Sequence, residues 1–151
     1  ECEVLYPFLV GSRNRWITPD NDNFGFAHWA YDNVNELLKL GPGFHFGEWW
    51  GAGIQRRYGL TKKRFSLFNT ELWGDPEKRP ACCGVVPVLH RGTMDTLDID
   101  AVCAELQKTG SRAAPGFMDP EGVVIYHTAS RCMFKKTIKN DKKPKRVAPS
   151  L

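Results

Sequence analysis

The sequence lacks the features that mark a membrane-spanning, secreted or disordered chain. No apolar run approaches the roughly 18 residues that cross a bilayer, so no membrane partner is expected. The N-terminal segment has neither the basic stretch nor the long apolar core of a secretory signal. With 42% hydrophobic and 25% charged residues, the composition excludes disorder and collagen-like repeats. The length of 151 residues predicts about one domain with a single core.

Familiar metal and phosphate motifs are also missing. The five cysteines are an odd number and contain no C-x-x-C pair, which indicates reduced thiols in a cytoplasmic protein that we expect to be a monomer. The four histidines show no zinc-ligand spacing, and there is no Gly-x-Gly-x-x-Gly or P-loop motif.

The positive charge lies at the C-terminal end. The net charge is +4, but residues 135–146 alone carry +6 and the rest of the chain −2. Such a segment suits a polyanionic partner, although a solvated tail is the more frequent explanation of a charge run. We expect residues 140–151 to form a basic, flexible tail.

Hydrophobic spacing predicts an α+β fold with two principal helices and mainly antiparallel sheets. One helix is expected over 22–41, capped by Asp22 or Asn23, and the other over 99–109, behind Asp98 and ended by Gly110. The glycine, prolines and charged residues of 74–80 predict a polar loop. The expected strands are LVGSRNRW, FHFGEWWG, RFSLFNTELW, CCGVVPVLH, GVVIYH and CMFKKTI.

Two glutamates beside glycines are the candidate site residues. Glu48 lies among aromatic residues with glycines at 47, 51 and 53, and Glu121-Gly122 precedes an apolar strand. Either glutamate alone is more often simply solvated. Together they suggest a site where a ligand approaches the backbone closely.

The order of short motifs around these glutamates resembles the RNA ligases of the covalent nucleotidyltransferase superfamily. The resemblance covers nearly the whole chain, and FGEWWG-x-G-I-Q-R is its most distinctive segment. It implies a partial adenylyltransferase domain over residues 1–139. The motifs are Ser12-Arg13-Asn14-Arg15-Trp16, FGEWWGAGIQRRYGL at 46–60, RFSLFN at 64–69, PEGVVIYH at 120–127 and FKKT at 134–137.

The resemblance implies a three-step reaction with ATP and Mg²⁺ (or Mn²⁺) as cofactors and RNA ends as substrates. A lysine attacks the α-phosphate to form lysyl-AMP, AMP passes to an RNA 5′-phosphate, and a 3′-hydroxyl displaces it to seal the strand. Catalysis of this kind depends mainly on positioning and on neutralising phosphate charge.

The family's site residues match positions in this chain. Glu121 would help hold the divalent cation, since a carboxylate oxygen suits Mg²⁺. Glu48 would accept hydrogen bonds from the ribose hydroxyls or assist the metal, and the sequence does not choose between these roles. Arg13 would contact a nucleotide or RNA phosphate, and Arg15 is either a second contact or a surface residue.

Three further matches concern the base and the α-phosphate. Phe68 would stack on adenine, or else belong to the core of its strand. Lys135 and Lys136 fall in the terminal motif, whose lysines usually alternate; here they are adjacent. Because neighbouring side chains of a strand point to opposite faces, we expect Lys135 to face the nucleotide. Gln55, Arg56 and Arg57 are either RNA-side or surface residues.

The family's nucleophilic lysine has no match in this chain. None of the eleven lysines precedes an x-(Asp or His)-Gly sequence, and there is no Asp-Gly dipeptide. We expect a fragment that lacks its N-terminal lysine segment and is inactive alone; the other interpretation is a degenerate nucleotide-binding protein. Competing functions are a non-catalytic RNA- or nucleotide-binding module, or a DNA ligase or capping enzyme.

Overall fold

The computed structural model describes residues 7–139, which form two compact units divided between Pro87 and Val88. Each unit has its own hydrophobic cluster, whereas the chain length predicted one core. The basic tail expected over 140–151 and Cys2 lie outside the described residues. Among those residues, no helix is long and apolar enough to span a bilayer.

The element order confirms an α+β fold. The helices are α1 Phe26–Asp32, α2 Val34–Leu37, α3 Thr70–Trp73 and α4 Ile99–Thr109, and 3₁₀ turns cover Leu38–Leu40, Arg57–Gly59 and Met94–Thr96. The strands are β1 Val10–Gly11, β2 Trp16–Ile17, β3 Gly47–Gly51, β4 Lys63–Leu67, β5 Cys83–Val85, β6 Gly122–His127 and β7 Cys132–Thr137.

The strands form three small sheets, and antiparallel pairing dominates as predicted. The first sheet is the β1–β2 hairpin, the second has the order β3-β4-β5, and the third is the β6–β7 pair. Only the β4–β5 pairing is parallel among the described strands. The first two sheets belong to the N-terminal unit (unit 1) and the third to the C-terminal unit (unit 2).

The helix predicted over 22–41 is wrong in extent and continuity. It begins at Phe26, after Gly25 in a left-handed conformation (φ 78°), and it breaks at Asn33. The Asn33 side chain donates a hydrogen bond to the Trp29 carbonyl and so competes with the helical backbone pattern. Gly41, also at positive φ, ends the 3₁₀ turn Leu38–Leu40 and so stops this helical segment, as predicted.

Asp22 caps α1 from outside the helix. Its carboxylate accepts hydrogen bonds from the backbone N–H groups of Ala27 (2.8 Å) and His28 (3.0 Å) and from the His28 ring (2.7 Å). Burial by itself would raise the pKa of Asp22, but these hydrogen bonds outweigh it and hold the pKa at about 2. The cap predicted at Asp22 or Asn23 is therefore supplied by Asp22.

Two expected strands contain other elements as well. LVGSRNRW forms the β1–β2 hairpin with its turn, because the Ser12 N–H bonds the Arg15 carbonyl. RFSLFNTELW ends as a strand at Leu67, and α3 follows because the Asn69 side chain accepts a hydrogen bond from the Leu72 N–H. Residues 74–80 form a loop of turns, as predicted.

An aromatic cluster forms the core of unit 1. Trp49 of β3 and its cross-strand partner Phe65 of β4 pack against Phe26 and Trp29 of α1, with ring centroids 4.9–5.6 Å apart. Leu67 is fully buried behind them. One face of the β3–β4 ladder therefore packs in the core.

Helix α4 covers one face of the β6–β7 hairpin in unit 2. Its buried residues Cys103 and Leu106 pack with Val123 of β6. Both ends match the prediction: the Asp98 side chain accepts a hydrogen bond from the Ala101 N–H (2.9 Å), and Gly110 follows the last turn at φ 86°.

Replacing Asp22 by Ala should lower the free energy of unfolding of unit 1 by about 1–2 kcal/mol, because α1 would then have no cap. The pKa of Asp22 is lowered from 3.8 to about 2. Its contribution is therefore complete above about pH 4 and is lost as the pH falls through 2. Urea unfolding at neutral and acid pH measures this difference, and the exposed Asp20→Ala is the control. Equal losses in the two variants would contradict the capping role.

Candidate functional site

Glu48 lies on the face of the β3–β4 ladder opposite the aromatic core. Side chains alternate along a strand, so the neighbouring Trp49 points into the core and Glu48 away from it. Glu48 is exposed and pairs with Ser66 across the ladder. We call this side of the ladder the outer face.

Phe68 lies next to Glu48 on the same outer face. Its N–H donates to the Phe46 carbonyl (2.9 Å), which extends the ladder by one pair beyond Gly47–Leu67. Phe68 is therefore a diagonal neighbour of Glu48, a relation that places Cα atoms about 7–8 Å apart in antiparallel pairs. Its side chain is 37% exposed, so it is not a core residue of β4.

Several residues of the outer face were not predicted. The Trp50 indole is buried and donates a hydrogen bond to the Ser66 hydroxyl (2.9 Å). This bond links β3 and β4 beside Glu48. Phe44 and Phe46 are stacked on each other and exposed. Their alternate spacing with Glu48 in FHFGE was the available signal.

Gly47 allows the two strands to approach beside Glu48. A Cβ at this position would lie 2.6 Å from both the Phe65 ring and the Ser66 carbonyl oxygen. The Phe65 ring therefore occupies the space that a side chain would need. The glycine before Glu48 is explained by this packing against the core.

Arg13 and Arg15 lie in the β1–β2 hairpin of unit 1 and differ in role. Arg13 is exposed in the turn. Arg15 donates hydrogen bonds to the carbonyls of Asn21 (2.9 Å) and Asp22 (3.1 Å), so it braces the segment that caps α1. Arg15 is exposed, and these contacts give it a structural role at the surface, while its role as a second phosphate contact stays a prediction.

Glu121 and Lys135 are in direct contact in unit 2. The Lys135 Nζ lies 2.5 Å from Glu121 Oε1, and both side chains are partly exposed. Lys135 pairs with Val124 across the β6–β7 ladder, whereas Lys136 pairs with Val123, the β6 residue buried against α4. The two lysines therefore lie on opposite faces, with Lys135 on the face away from α4.

Gly122 permits this arrangement. It has φ 155°, and a Cβ here would overlap the Lys136 carbonyl oxygen and lie 2.8 Å from the Thr137 Cα. The absence of a side chain at Gly122 thus allows the first residue of β6 to lie close to the backbone of β7. The Glu121 carbonyl accepts the Ile138 N–H (2.9 Å), which closes this end of the ladder.

The donor set fits a cation that is shared with a ligand. Within residues 7–139 no cluster of three His, Cys, Asp or Glu side chains forms a metal cage. Mg²⁺ in nucleotide sites commonly uses one or two carboxylates together with phosphate oxygens and water. The partly exposed Glu121 carboxylate of unit 2 suits that mode.

Neither the neighbouring Cys82 and Cys83 nor the cavity beside α4 adds a catalytic group. Burial raises the pKa of Cys83 to about 12 and also raises that of Cys82, so these free thiols are poor nucleophiles. A cavity of about 280 Å³ contains none of the predicted site residues. Its lining residues are Leu89, Ala101, Val102, Glu105, Leu106 and Arg112.

The predicted site residues thus form two groups. Unit 1 brings Glu48 and Phe68 together on its outer face and holds Arg13 in a separate hairpin. Unit 2 brings Glu121 and Lys135 together and places Lys136 on the other face of the same hairpin.

Comparison with known protein families agrees with these motifs. The family model described as RNA ligase matches residues 2–140. The chain therefore belongs to the RNA ligase family, which supports a ligase-type function. Neither the curated proteins nor the solved structures contain a significant match.

Gly122→Ala should destabilise unit 2 more than Gly116→Ala. Both glycines have positive φ, so both variants strain the backbone, but only a Cβ at 122 meets the neighbouring strand. Thermal unfolding of the two variants measures the difference. If Gly116→Ala costs as much, the close approach of β6 to β7 does not explain the glycine.

Proposed function

We propose that the chain is the adenylyltransferase part of an ATP-dependent RNA ligase, with Mg²⁺ or Mn²⁺ as cofactor and RNA ends as substrate. The observation that carries the proposal is the position of Glu48 and Phe68 side by side on the outer face, within a chain of the RNA ligase family. The protein would be a cytoplasmic monomer, with a partial adenylyltransferase domain over residues 1–139.

Unit 1 would bind the nucleoside and a phosphate. The half-exposed Phe68 ring can stack on adenine, while the Glu48 carboxylate accepts hydrogen bonds from the ribose hydroxyls. The hydrogen bond from Trp50 to Ser66 links the two strands beside them. Arg13, exposed in its hairpin turn, is available for a phosphate.

Unit 2 would act on the phosphates. As the family resemblance implies, Lys135 would neutralise negative charge on a phosphate, and Glu121, which contacts Lys135, would offer an oxygen to the cation. The cation, when bound, supplies further neutralisation of phosphate oxygens. Lys136, on the opposite face, would contribute to this unit's positive charge rather than to the same contact.

A non-catalytic RNA- or nucleotide-binding module is the second candidate. It is favoured by one observation: the 151 residues contain no Lys-x-(Asp or His)-Gly motif. A covalent nucleotidyl transfer needs an attacking amine. The two candidates differ in whether adenylate becomes attached to protein, and in whether Glu121 matters beyond binding.

Phe68→Ala should weaken the binding of a fluorescent ATP analogue about tenfold, because the alanine side chain has no ring to stack on the base. Fluorescence anisotropy in the presence of Mg²⁺ measures the dissociation constant. Leu72→Ala removes another half-exposed apolar side chain nearby and should leave it unchanged. If both variants bind like the original chain, Phe68 does not stack on the base.

Ligase activity is tested on the protein translated from the complete gene, incubated with α-labelled ATP and Mg²⁺. A labelled protein–AMP adduct is expected, and Glu121→Ala should abolish it while RNA binding is mostly retained. The 151-residue chain alone should form no adduct. Failure of the complete protein to become labelled, with RNA binding that survives Glu48→Ala and Glu121→Ala, would establish the binding module instead.

A further inference from the structure

The connection from β3 to β4 differs in charge from the rest of unit 1. Residues 1–87 contain ten basic and ten acidic side chains, but five of the basic ones fall within 56–64, where there is no acid. This segment therefore carries +5 and the remainder of the unit −5. We call residues 52–64 the basic loop; its cations are Arg56, Arg57, Lys62, Lys63 and Arg64.

The backbone of the basic loop is held in an unfavourable conformation. Gln55, Arg57 and Tyr58 have φ values of 38°, 56° and 49°, in the left-handed region that side chains disfavour. Glycine would adopt these angles without the steric cost. Strain of this kind persists only where the surrounding structure imposes it, and it concentrates at functional sites.

Contacts with Trp50 of β3 and a backbone hydrogen bond at its base hold the loop in this conformation. The Tyr58 ring meets the buried Trp50 edge-on, with centroids 5.3 Å apart, and Trp50 is itself bonded to Ser66. The Ala52 N–H donates to the Lys62 carbonyl (3.3 Å), which closes the base of the loop. The loop is thus fixed to the same strands that carry Glu48.

Four of the five cations of the loop, Arg57, Lys62, Lys63 and Arg64, are exposed. Arg64 pairs with Trp50 on the outer face, whereas Lys63 pairs with Gly51 and so points to the opposite face at this edge of the ladder. Among the residues that the structure describes, no carboxylate pairs with these four. By contrast, Lys39 and Lys78 of the same unit form ion pairs with Glu36 and Asp75.

We propose that the basic loop binds the sugar–phosphate backbone of the RNA, through Arg57, Lys62, Lys63 and Arg64. The proposal rests on the ligase function above and adds the surface that holds the strand beside the nucleoside. The phosphates of an RNA strand complement a group of exposed cations that has no acids among them. A loop whose backbone is already fixed loses little backbone entropy on binding.

The test measures how salt weakens binding of a short 5′-phosphorylated single-stranded RNA. The variant R57Q/K62Q/K63Q/R64Q should reduce the slope of log affinity against log salt by about 0.7 for each phosphate that the loop no longer neutralises, or about 2–3 in total. K39Q/K78Q removes cations that already have acidic partners and should leave the slope unchanged. The basic C-terminal residues are kept in every variant.

Two further measurements separate a binding effect from a folding effect. The variant R57K/K62R/K63R/R64K preserves charge and should retain the original slope. Thermal unfolding identifies any variant that does not fold. An unchanged slope in the four-glutamine variant, or an equal reduction in K39Q/K78Q, would overturn the proposal.

Binding of the fluorescent ATP analogue distinguishes this proposal from the function on which it rests. The four-glutamine variant should bind the analogue like the original chain. If analogue binding depends on Phe68 but the salt slope does not depend on the loop, the loop proposal alone fails. If the slope depends on the loop but no nucleotide binds, the ligase proposal fails and the RNA-binding surface stands.

Discussion

The antiparallel register of β3 against β4 is the constraint on which unit 1 depends. With Trp49 opposite Phe65, the alternation of side chains sends both rings into the α1 cluster and leaves Glu48 and Ser66 on the other face. A slip of one residue would exchange the two faces completely. The same register therefore buries the aromatic rings and exposes the Glu48 carboxylate. Burial of Trp49 and Phe65 in turn stabilises this register against a slip.

Close backbone approach is the second constraint, and it explains the glycines next to the two glutamates. At Gly47 the Phe65 ring occupies the space of a side chain, and at Gly122 the neighbouring strand does. In each case the glycine belongs to the strand pairing, and the adjacent glutamate takes its position from that pairing. The recurring Glu–Gly neighbourhood is thus a packing requirement as much as a chemical one.

Signals close in sequence predicted local structure well. Both ends of α4 follow from Asp98 and Gly110, and the opposite faces of Lys135 and Lys136 follow from strand alternation. The sequence does not predict the break at Asn33, because the apolar spacing of a helix continues through that residue. It does not predict α3 either, because Thr70–Trp73 follow the apolar residues of β4 without an interruption. The Trp50–Ser66 bond depends on a register that only tertiary pairing sets.

The roles of Glu48, Phe68, Arg13 and Glu121 toward ATP, metal and RNA stay predictions.

The contact between Lys135 and Glu121 has a consequence for how anions approach unit 2. As a pair the two groups carry no net charge, so the carboxylate does not repel an incoming phosphate at long range. At short range the ammonium is the group of the pair that can donate hydrogen bonds to an anion. The pair therefore presents neither an isolated carboxylate nor an isolated ammonium at this end of β6 and β7.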